Sequence, residues 1–202
     1  MIVPLVRDLK VRPLADVWAE MQTFTAERSA ETRDEVWFVE HPPVYTLGMR
    51  ADRAHLLAPG DIPVVAIDRG GQVTYHGPGQ LVAYVMLDLR RRAWSPRHLV
   101  QALENAVIDT VATYGISASA RRDAPGVYVA GAKLAAVGLR VKRHCSYHGL
   151  AVNVAMDLAP FGGINPCGYE GLPVTQLATL CGIDDLARFR ADLTPRLLAR
   201  LG

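Results

Sequence analysis

The chain has 202 residues, half of them hydrophobic and 21% charged, which is typical of a folded globular domain and excludes a disordered or fibrous chain. Its net charge of +2 is too small to indicate a general nucleic-acid-binding protein. Three widely spaced cysteines, Cys145, Cys167 and Cys181, argue against a disulfide framework and indicate a reducing compartment, so we expect a cytoplasmic protein. No run approaches the roughly 18 apolar residues of a membrane span, and residues 1–8 are too short an apolar stretch for a secretory signal.

The N-terminal half of the chain is predicted to alternate between short strands and two helices. Apolar residues at helical spacing predict a helix over residues 13–32. Ser95 is suited to cap a second helix that begins at Pro96, and Gly115 ends it. Runs of β-branched and aromatic residues predict strands at residues 2–9, 35–40, 44–48, 64–67 and 81–89.

The C-terminal half begins with β-rich sequence and ends in helices. Three successive strands are predicted at residues 126–130, 134–142 and 147–154, antiparallel because the connections are too short for crossovers. A short helix over residues 173–181 and a final helix follow. Asp184 or Asp185 caps the final helix, and Pro195 either kinks it or begins a new turn. The irregular mixture of strands and helices predicts an α+β fold with one domain over residues 1–202.

A glycine-rich loop at residues 162–171 carries one thiol, that of Cys167. Four glycines and Pro166 within ten residues exclude a helix or strand and predict a shaped turn. A cysteine in such a turn is a candidate nucleophile, although free cysteines are more often small packing residues. A free thiol has a reference pKa of about 8.5 and is mostly protonated at neutral pH, so a nucleophilic cysteine needs a basic neighbour.

Lys133 is the best candidate for that neighbour. It is the one charged residue between Gly126 and Leu139, and burying an ammonium group among apolar residues is costly unless the group is paired. Such a lysine acts as a general base or favours the thiolate as a cation. A strand lysine whose tip reaches water is an equally good interpretation of the sequence.

A second glycine-rich segment, residues 69–80, contains four glycines in twelve residues but matches neither a Walker loop nor a dinucleotide fingerprint. Its glycines let backbone N–H groups approach a substrate carbonyl or phosphate; a tight turn between strands is the alternative. His76 and His148 are further candidate bases, although a lone histidine is more often structural. His144 and His148 have metal-ligand spacing only on a helix, and the surrounding pattern is strand-like, so we expect no metal site.

Positive charge is concentrated in two parts of the chain. Residues 117–150 contain six basic residues against Asp123 alone, and residues 90–97 contain four arginines. Such clusters fit an acidic protein partner, although charge runs are usually solvated surface. The basic residues are Arg90, Arg91, Arg92, Arg97, Arg121, Arg122, Lys133, Arg140, Lys142 and Arg143.

Four blocks of sequence are informative when they are considered together. They are His-Pro-Pro at 41–43 with Tyr-Thr-Leu-Gly at 45–48, RGGQVTYHGPGQ at 69–80, GAKLAAVGLR at 131–140 with HGLAVNV at 148–154, and Ile-Asn-Pro-Cys-Gly at 164–168. Together they closely resemble the lipoyl(octanoyl) transferase family, also called lipoate-protein ligase B. The resemblance covers about residues 40–176, and several long motifs at once are hard to match by chance.

The resemblance implies a fold like the catalytic domain of biotin and lipoate protein ligases, with a mixed, largely antiparallel sheet and packed helices. It implies transfer of an octanoyl group from acyl carrier protein to a lysine of a lipoyl domain, in 2-oxoacid dehydrogenase complexes and in the H protein of glycine cleavage. We expect no cofactor, no nucleic-acid or membrane partner, and a monomer.

The resemblance also assigns residues. Cys167 matches the nucleophile that carries the acyl thioester, and Lys133 matches the lysine paired with it. His148 is a possible supporting residue. Three segments match those that line the acyl-substrate site: Arg69, Gly70, Gly71, Gln72, Val73, Thr74, Tyr75 and His76; Ala136, Val137 and Gly138; and Gly149, Leu150 and Ala151.

Three other functions stay open on the sequence. An ATP-dependent lipoate or biotin ligase would share the strand lysine but would need nucleotide contacts and no cysteine nucleophile. A non-catalytic binding module would hold carrier protein or lipoyl domains without turnover. A cysteine hydrolase would release free fatty acid instead of forming an amide.

Overall fold

The computed structural model describes residues 3–202, so Met1 and Ile2, the latter within the predicted first strand, lie outside the described residues. In chain order the strands are β1 Leu5–Val11, β2 Glu35–Glu40, β3 Val44–Leu47, β4 Val64–Ala66, β5 Val73–His76, β6 Gln80–Met86, β7 Ser119–Ala120, β8 Gly126–Val129, β9 Ala132–Lys142 and β10 Cys145–Asn153. The helices are α1 Leu14–Glu27, α2 Pro96–Ala112, α3 Leu177–Cys181 and α4 Leu186–Leu201.

A seven-stranded mixed sheet forms the centre of the fold, in the order β1-β2-β6-β10-β9-β8-β7. Strand β1 runs parallel to β2, and the other neighbours are antiparallel. The predicted antiparallel run β8-β9-β10 is confirmed, and so are the α+β class and the mixed, largely antiparallel sheet.

A second, three-stranded sheet in the order β4-β3-β5 lies outside the prediction. Its strand β5 falls within residues 69–80, which the glycine density predicted as a loop. Val73 and Tyr75 alternate with polar residues and are buried, and β5 pairs antiparallel with β3. Partner strands distant in sequence therefore overrode the local glycine signal.

The bounds of α1 and α3 differ from the prediction, and one of the two candidate caps of α4 is selected. Helix α3 begins at Leu177 rather than residue 173, because Pro173 and Thr175 pair with the backbone of Lys133. Helix α1 ends at Glu27 instead of residue 32, because Arg28 leaves the helix and binds the carbonyl oxygen of Met86 at 3.0 Å. Asp185, not Asp184, caps α4, since its side chain accepts the N–H groups of Ala187 and Arg188. Pro195 lies inside that helix, which continues to Leu201.

Helices cover both faces of the large sheet. On one face α2 packs with α4 through Leu99, Leu103 and Val107, together with Phe189 and Leu193 of α4. Burying these apolar side chains contributes about 1.5–3 kcal/mol each. On the other face, α1 places Val17 and Met21 against residues of β2, β6 and β10. Among residues 3–202, no helix combines the length and hydropathy that crossing a membrane requires.

Two of the arginines at 90–92, Arg91 and Arg92, bind a buried carboxylate, while Arg90 is exposed. Arg91 and Arg92 contact the carboxylate of Asp34 at 2.7 and 2.9 Å, and Arg28 joins them at 2.5 Å. Burial would raise the pKa of Asp34, but the hydrogen bonds from the Asp88 N–H and the arginines outweigh it and lower that pKa. The cluster therefore ties the loop after β6 to the start of β2.

Candidate active site

Cys167 and Lys133 meet although they are 34 residues apart in sequence. The lysine Nζ lies 2.8 Å from the cysteine Sγ and donates a hydrogen bond to it. An amine and a thiol at this distance can exchange a proton directly, which is the geometry required of a nucleophile and its base.

The glycine-rich loop at residues 162–171, here called the cysteine loop, holds Cys167 in an unusual backbone conformation. Cys167 has φ of 58° and ψ of 17°, and Gly168 follows with φ of 80°. A side chain at positive φ is uncommon and persists where the surroundings enforce it. Here Gly168 N–H closes a turn onto the Asn165 carbonyl oxygen at 2.9 Å, and Asn165 N–H binds the carbonyl oxygen of His55 at 2.9 Å. These contacts fix the direction in which Sγ points.

Lys133 is held in place by both its backbone and its side chain. Its N–H and C=O pair with Pro173 and Thr175 at 2.8 and 3.0 Å, so the segment after the cysteine loop runs alongside the start of β9. Nζ also donates to the Pro125 carbonyl oxygen at 3.2 Å and lies 5.3 Å from the ring centroid of Tyr128. The residue is only 4% exposed, so its tip does not reach water as the alternative interpretation required.

A cavity of about 710 Å³ opens beside Cys167. Its floor is formed by β9 and β10, where two alternate cross-strand pairs carry no side chain larger than a methyl group: Ala136 opposite Ala151, and Gly138 opposite Gly149. The pair between them is Val137 and Leu150. Lys133 lies behind Cys167 and lines a small adjoining space with it. A smooth, largely apolar groove that ends at a thiol suits a linear acyl chain.

Arg69 is buried in the wall of this cavity with neutral acceptors. Its guanidinium donates to the carbonyl and hydroxyl oxygens of Thr46, both at 2.8 Å, and to the carbonyl oxygen of Gly70 at 3.0 Å. Burial lowers its pKa to about 10, and its interaction with the nearby Cys167 opposes that shift. The side chain lies directly on Gly138, where a Cβ would come within 3.2 Å of Arg69 Cδ. Gly138 therefore makes room for the arginine.

The glycine-rich segment at residues 69–80 lies against the edge of β9 next to Arg69. Gly70 N–H binds the carbonyl oxygen of Leu139 at 2.9 Å. Gln72 accepts the Asp52 N–H at 2.9 Å, and its Cγ would lie 3.2 Å from a Cβ at Gly168. The two glycine-rich segments of the sequence thus meet in one site.

Two neutral histidines and a tyrosine form another part of the cavity wall. Burial lowers the pKa of His76 to about 3, and its Nδ1 bonds Gln80 Oε1 at 2.7 Å. Burial also lowers the pKa of His148, although Asp68, 3.0 Å from its Nε2, opposes the shift. Burial raises the pKa of the Tyr84 hydroxyl, which bonds His41 at 2.8 Å. These groups are uncharged at neutral pH.

The structure brings nearly all of the predicted site residues to this cavity. Arg69–Thr74, His76, Ala136–Gly138, His148–Ala151 and Cys167 line it. Tyr75 does not, because its side chain packs with Tyr45 and Phe161 in the core of the small sheet. His144 lies in the turn between β9 and β10, and no group of three or more candidate metal-ligating side chains gathers anywhere in residues 3–202.

Sequence reasoning missed several residues that shape the site. Thr46 holds Arg69, Asp68 orients His148, and Pro125 supplies the second acceptor for Lys133. Tyr84 is the one polar side chain between Leu81 and Met86, and that signal was available in the sequence. The contacts of Pro125 depend on tertiary packing and leave no sequence pattern.

Solved structures with the same architecture include lipoate-protein ligase A bound with ATP, at a TM-score of 0.78 over 99% of this chain and 86% of that one, with 12% identity. A biotin protein ligase from Aquifex aeolicus superposes at a TM-score of 0.59 over 100% of this chain and 69% of that one, with 14% identity. At such identities the likeness shows the fold alone, and it defines the class: a domain with the lipoate and biotin protein ligase fold.

Sequence comparison narrows the class to a family. The family described as the lipoyl protein ligase A/B catalytic domain matches residues 13–195, and this chain belongs to that family. A relative from Thiobacillus denitrificans named octanoyltransferase is 60% identical over 190 residues, covering 88% of this chain and 87% of its own. Another of that name, from Pseudomonas fluorescens, is 54% identical over 195 residues, covering 96% and 91%.

Proposed function

We propose that this chain is an octanoyltransferase of protein lipoylation, which moves an octanoyl group from acyl carrier protein to a lysine amine of a lipoyl domain. The observation that carries the mechanism is the contact of 2.8 Å between Lys133 Nζ and Cys167 Sγ at the end of the cavity. The relatives named octanoyltransferase support the same activity.

The first half-reaction loads the cysteine. Lys133 takes the thiol proton as Cys167 Sγ attacks the thioester carbonyl of the octanoyl donor. The tetrahedral intermediate collapses, the bond to the carrier sulfur breaks, and the lysine ammonium returns its proton to the departing thiolate. One thioester replaces another, so the step is nearly isoenergetic and needs no ATP.

The second half-reaction forms the amide. A lysine of reference pKa about 10.4 is almost entirely protonated at neutral pH, so the attacking amine needs a base. Lys133 takes one proton from the lysine ammonium, and the neutral amine then attacks the carbonyl of the acyl-enzyme. The second N–H proton passes to the departing Cys167 sulfur, which regenerates the thiol, and Lys133 releases its proton to solvent. Thioester to amide runs downhill, which makes the transfer directional.

The cavity walls hold the acyl chain while the partners exchange. The small residues of β9 and β10 leave room for an alkyl chain along the floor, and the neutral histidines avoid burying an additional charge beside it. The proposal includes a monomer as the active form. The three free thiols support action in the reducing cytoplasm.

The proposal predicts a covalent intermediate that forms without ATP. We expect intact-mass spectrometry to show one added octanoyl group after mixing with octanoyl-carrier protein, and loss of that group when a lipoyl domain is added. Transfer that occurs only with ATP and free octanoate would identify a ligase instead. Release of free octanoate would identify a hydrolase, and binding without any adduct or transfer would identify a binding module.

The basic residues near the cavity mouth are expected to dock the acidic carrier protein. Arg140 lines the cavity and reaches Met49, while Arg121 lies over the ring of Tyr169 beside the cysteine loop. Charge reversal in Arg140→Glu should raise KM for octanoyl-carrier protein about tenfold at low salt, with less effect at high salt. Arg33→Glu, at an exposed position where the arginine binds the Val3 carbonyl oxygen, serves as the control. An unchanged KM and salt dependence in Arg140→Glu would remove this arginine from the docking surface.

A further inference from the structure

One peptide unit connects the Lys133–Cys167 pair to a buried carboxylate. The peptide bond between Pro125 and Gly126 contributes its C=O to Lys133 Nζ at 3.2 Å and its N–H to Glu104 Oε1 at 2.8 Å. The hydrogen bonds run in series from Glu104 through this peptide to Lys133 and on to Cys167. Hydrogen bonds arranged in a chain polarise one another, most strongly where water is excluded.

Glu104 is an unusual residue for its position. It lies in α2 among the apolar residues that face the sheet and is only 5% exposed. A carboxylate is costly to bury unless it is paired and hydrogen-bonded. Burial raises the pKa of the Glu104 carboxyl, and the hydrogen bond from Gly126 and the positive charge of Lys133 oppose that rise. The charge that compensates Glu104 is thus that of the site lysine.

Gly126 is shaped for this connection. It has φ of 145°, and a Cβ there would lie 2.3 Å from the carbonyl oxygen of Ala135 and 2.8 Å from Lys133 Cε. The lysine side chain therefore passes directly over the glycine. Any side chain larger than the hydrogen of glycine would prevent this peptide from facing Glu104 on one side and Lys133 on the other.

We propose that Glu104 is a positioning residue that sets the proton affinity of Lys133 through the Pro125–Gly126 peptide. The inference rests on the proposed function, in which Lys133 takes and returns a proton. A carboxylate beyond the peptide makes the Pro125 oxygen a stronger acceptor and stabilises the lysine ammonium. The pair with Cys167 is thereby shifted toward ammonium and thiolate.

Few titratable groups face this series of hydrogen bonds. Lys133 comes from β9, Tyr128 from β8 and Cys167 from the cysteine loop. Burial raises the pKa of Tyr128, so its hydroxyl, which donates to the Ala124 carbonyl oxygen at 2.8 Å, stays neutral in the working range. In this series of hydrogen bonds, Glu104 therefore supplies the negative charge, and it lies on the side of Lys133 away from Cys167.

The test uses Glu104→Gln, whose amide oxygen still accepts the Gly126 N–H while the negative charge is gone. With the charge removed, Lys133 holds its proton less firmly. Alkylation of Cys167 by iodoacetamide at pH 7, followed by the mass of its own peptide, should slow by about tenfold, and the upper limb of the kcat–pH profile should move about one unit toward lower pH. KM for octanoyl-carrier protein should not change.

Thr110→Val is the matched control, because Thr110 is buried on the same helix and bonds only within it, to the Ala106 carbonyl oxygen at 2.7 Å. It should lower Tm without changing the alkylation rate at pH 7 or the kcat–pH profile. Wild-type profiles in Glu104→Gln, or equal losses in both variants with no shift in pH dependence, would overturn the proposal in favour of a purely structural glutamate. A wild-type protein that transfers no octanoyl group refutes the proposed function, while the alkylation profile still decides the role of Glu104.

Discussion

Replacing Cys167 with serine is expected to eliminate the acyl-enzyme adduct and to lower octanoyl transfer by about 10³-fold or more. The serine hydroxyl fits the same turn and still lies beside Lys133. It is, however, a far weaker acid than a thiol, so the lysine cannot generate the nucleophile at neutral pH. Intact-mass spectrometry and a transfer assay on a lipoyl domain, both without ATP, measure the two effects.

Cys181→Ser is the control for this experiment. Cys181 is a second partly buried thiol, which packs against the core and donates a hydrogen bond to the carbonyl oxygen of Leu177 in its own helix, at 3.4 Å. This variant should keep both the adduct and the transfer rate. Full transfer by Cys167→Ser would show that the lipoyl-domain amine attacks the carrier thioester directly, and the cysteine mechanism would have to be abandoned.

Lys133→Met is expected to lower the rate of octanoyl transfer by about 10²–10⁴-fold. Methionine fills much of the same buried space but can neither accept the thiol proton nor return it. Because the thiol is no longer activated, loading of Cys167 should recover partly as the pH is raised toward the ordinary range of a free thiol. The pH dependence of single-turnover acylation measures this.

Lys142→Met tests whether the effect is specific. Lys142 belongs to the same strand, β9, but is exposed at its far end, so its loss should leave acylation unchanged. A Lys133→Met variant that loads octanoyl at the wild-type rate at pH 7 would show that another group, such as the neutral His76 of the cavity wall, serves as the base.

These expectations follow from how the fold assembles the pair. Lys133 is on β9, an interior strand of the large sheet, while Cys167 is on a loop between β10 and α3. Backbone pairing of Lys133 with Pro173 and Thr175 brings the end of that loop back to the strand. A rigid strand therefore positions the base, and a turn with enforced positive φ positions the nucleophile.

Sequence reasoning was enough to predict the α+β class, the antiparallel run β8-β9-β10, the family and the candidate pair Cys167 and Lys133. Local signals sufficed there: periodicity marks strands and helices, and a lone charge in an apolar strand or a thiol among glycines departs from what packing alone requires. The long motifs that carry the family resemblance are equally local, since each is a continuous stretch.

Which of these groups are in contact depends on the three-dimensional fold. It made part of the segment 69–80 a strand of a second sheet, turned Tyr75 away from the cavity, and placed Thr46 against Arg69. It also placed Glu104 one peptide away from Lys133. Hydrogen bonds between residues distant in sequence depend on sheet register and helix packing, and no single stretch of sequence encodes these, because each is set by the burial of many side chains at once.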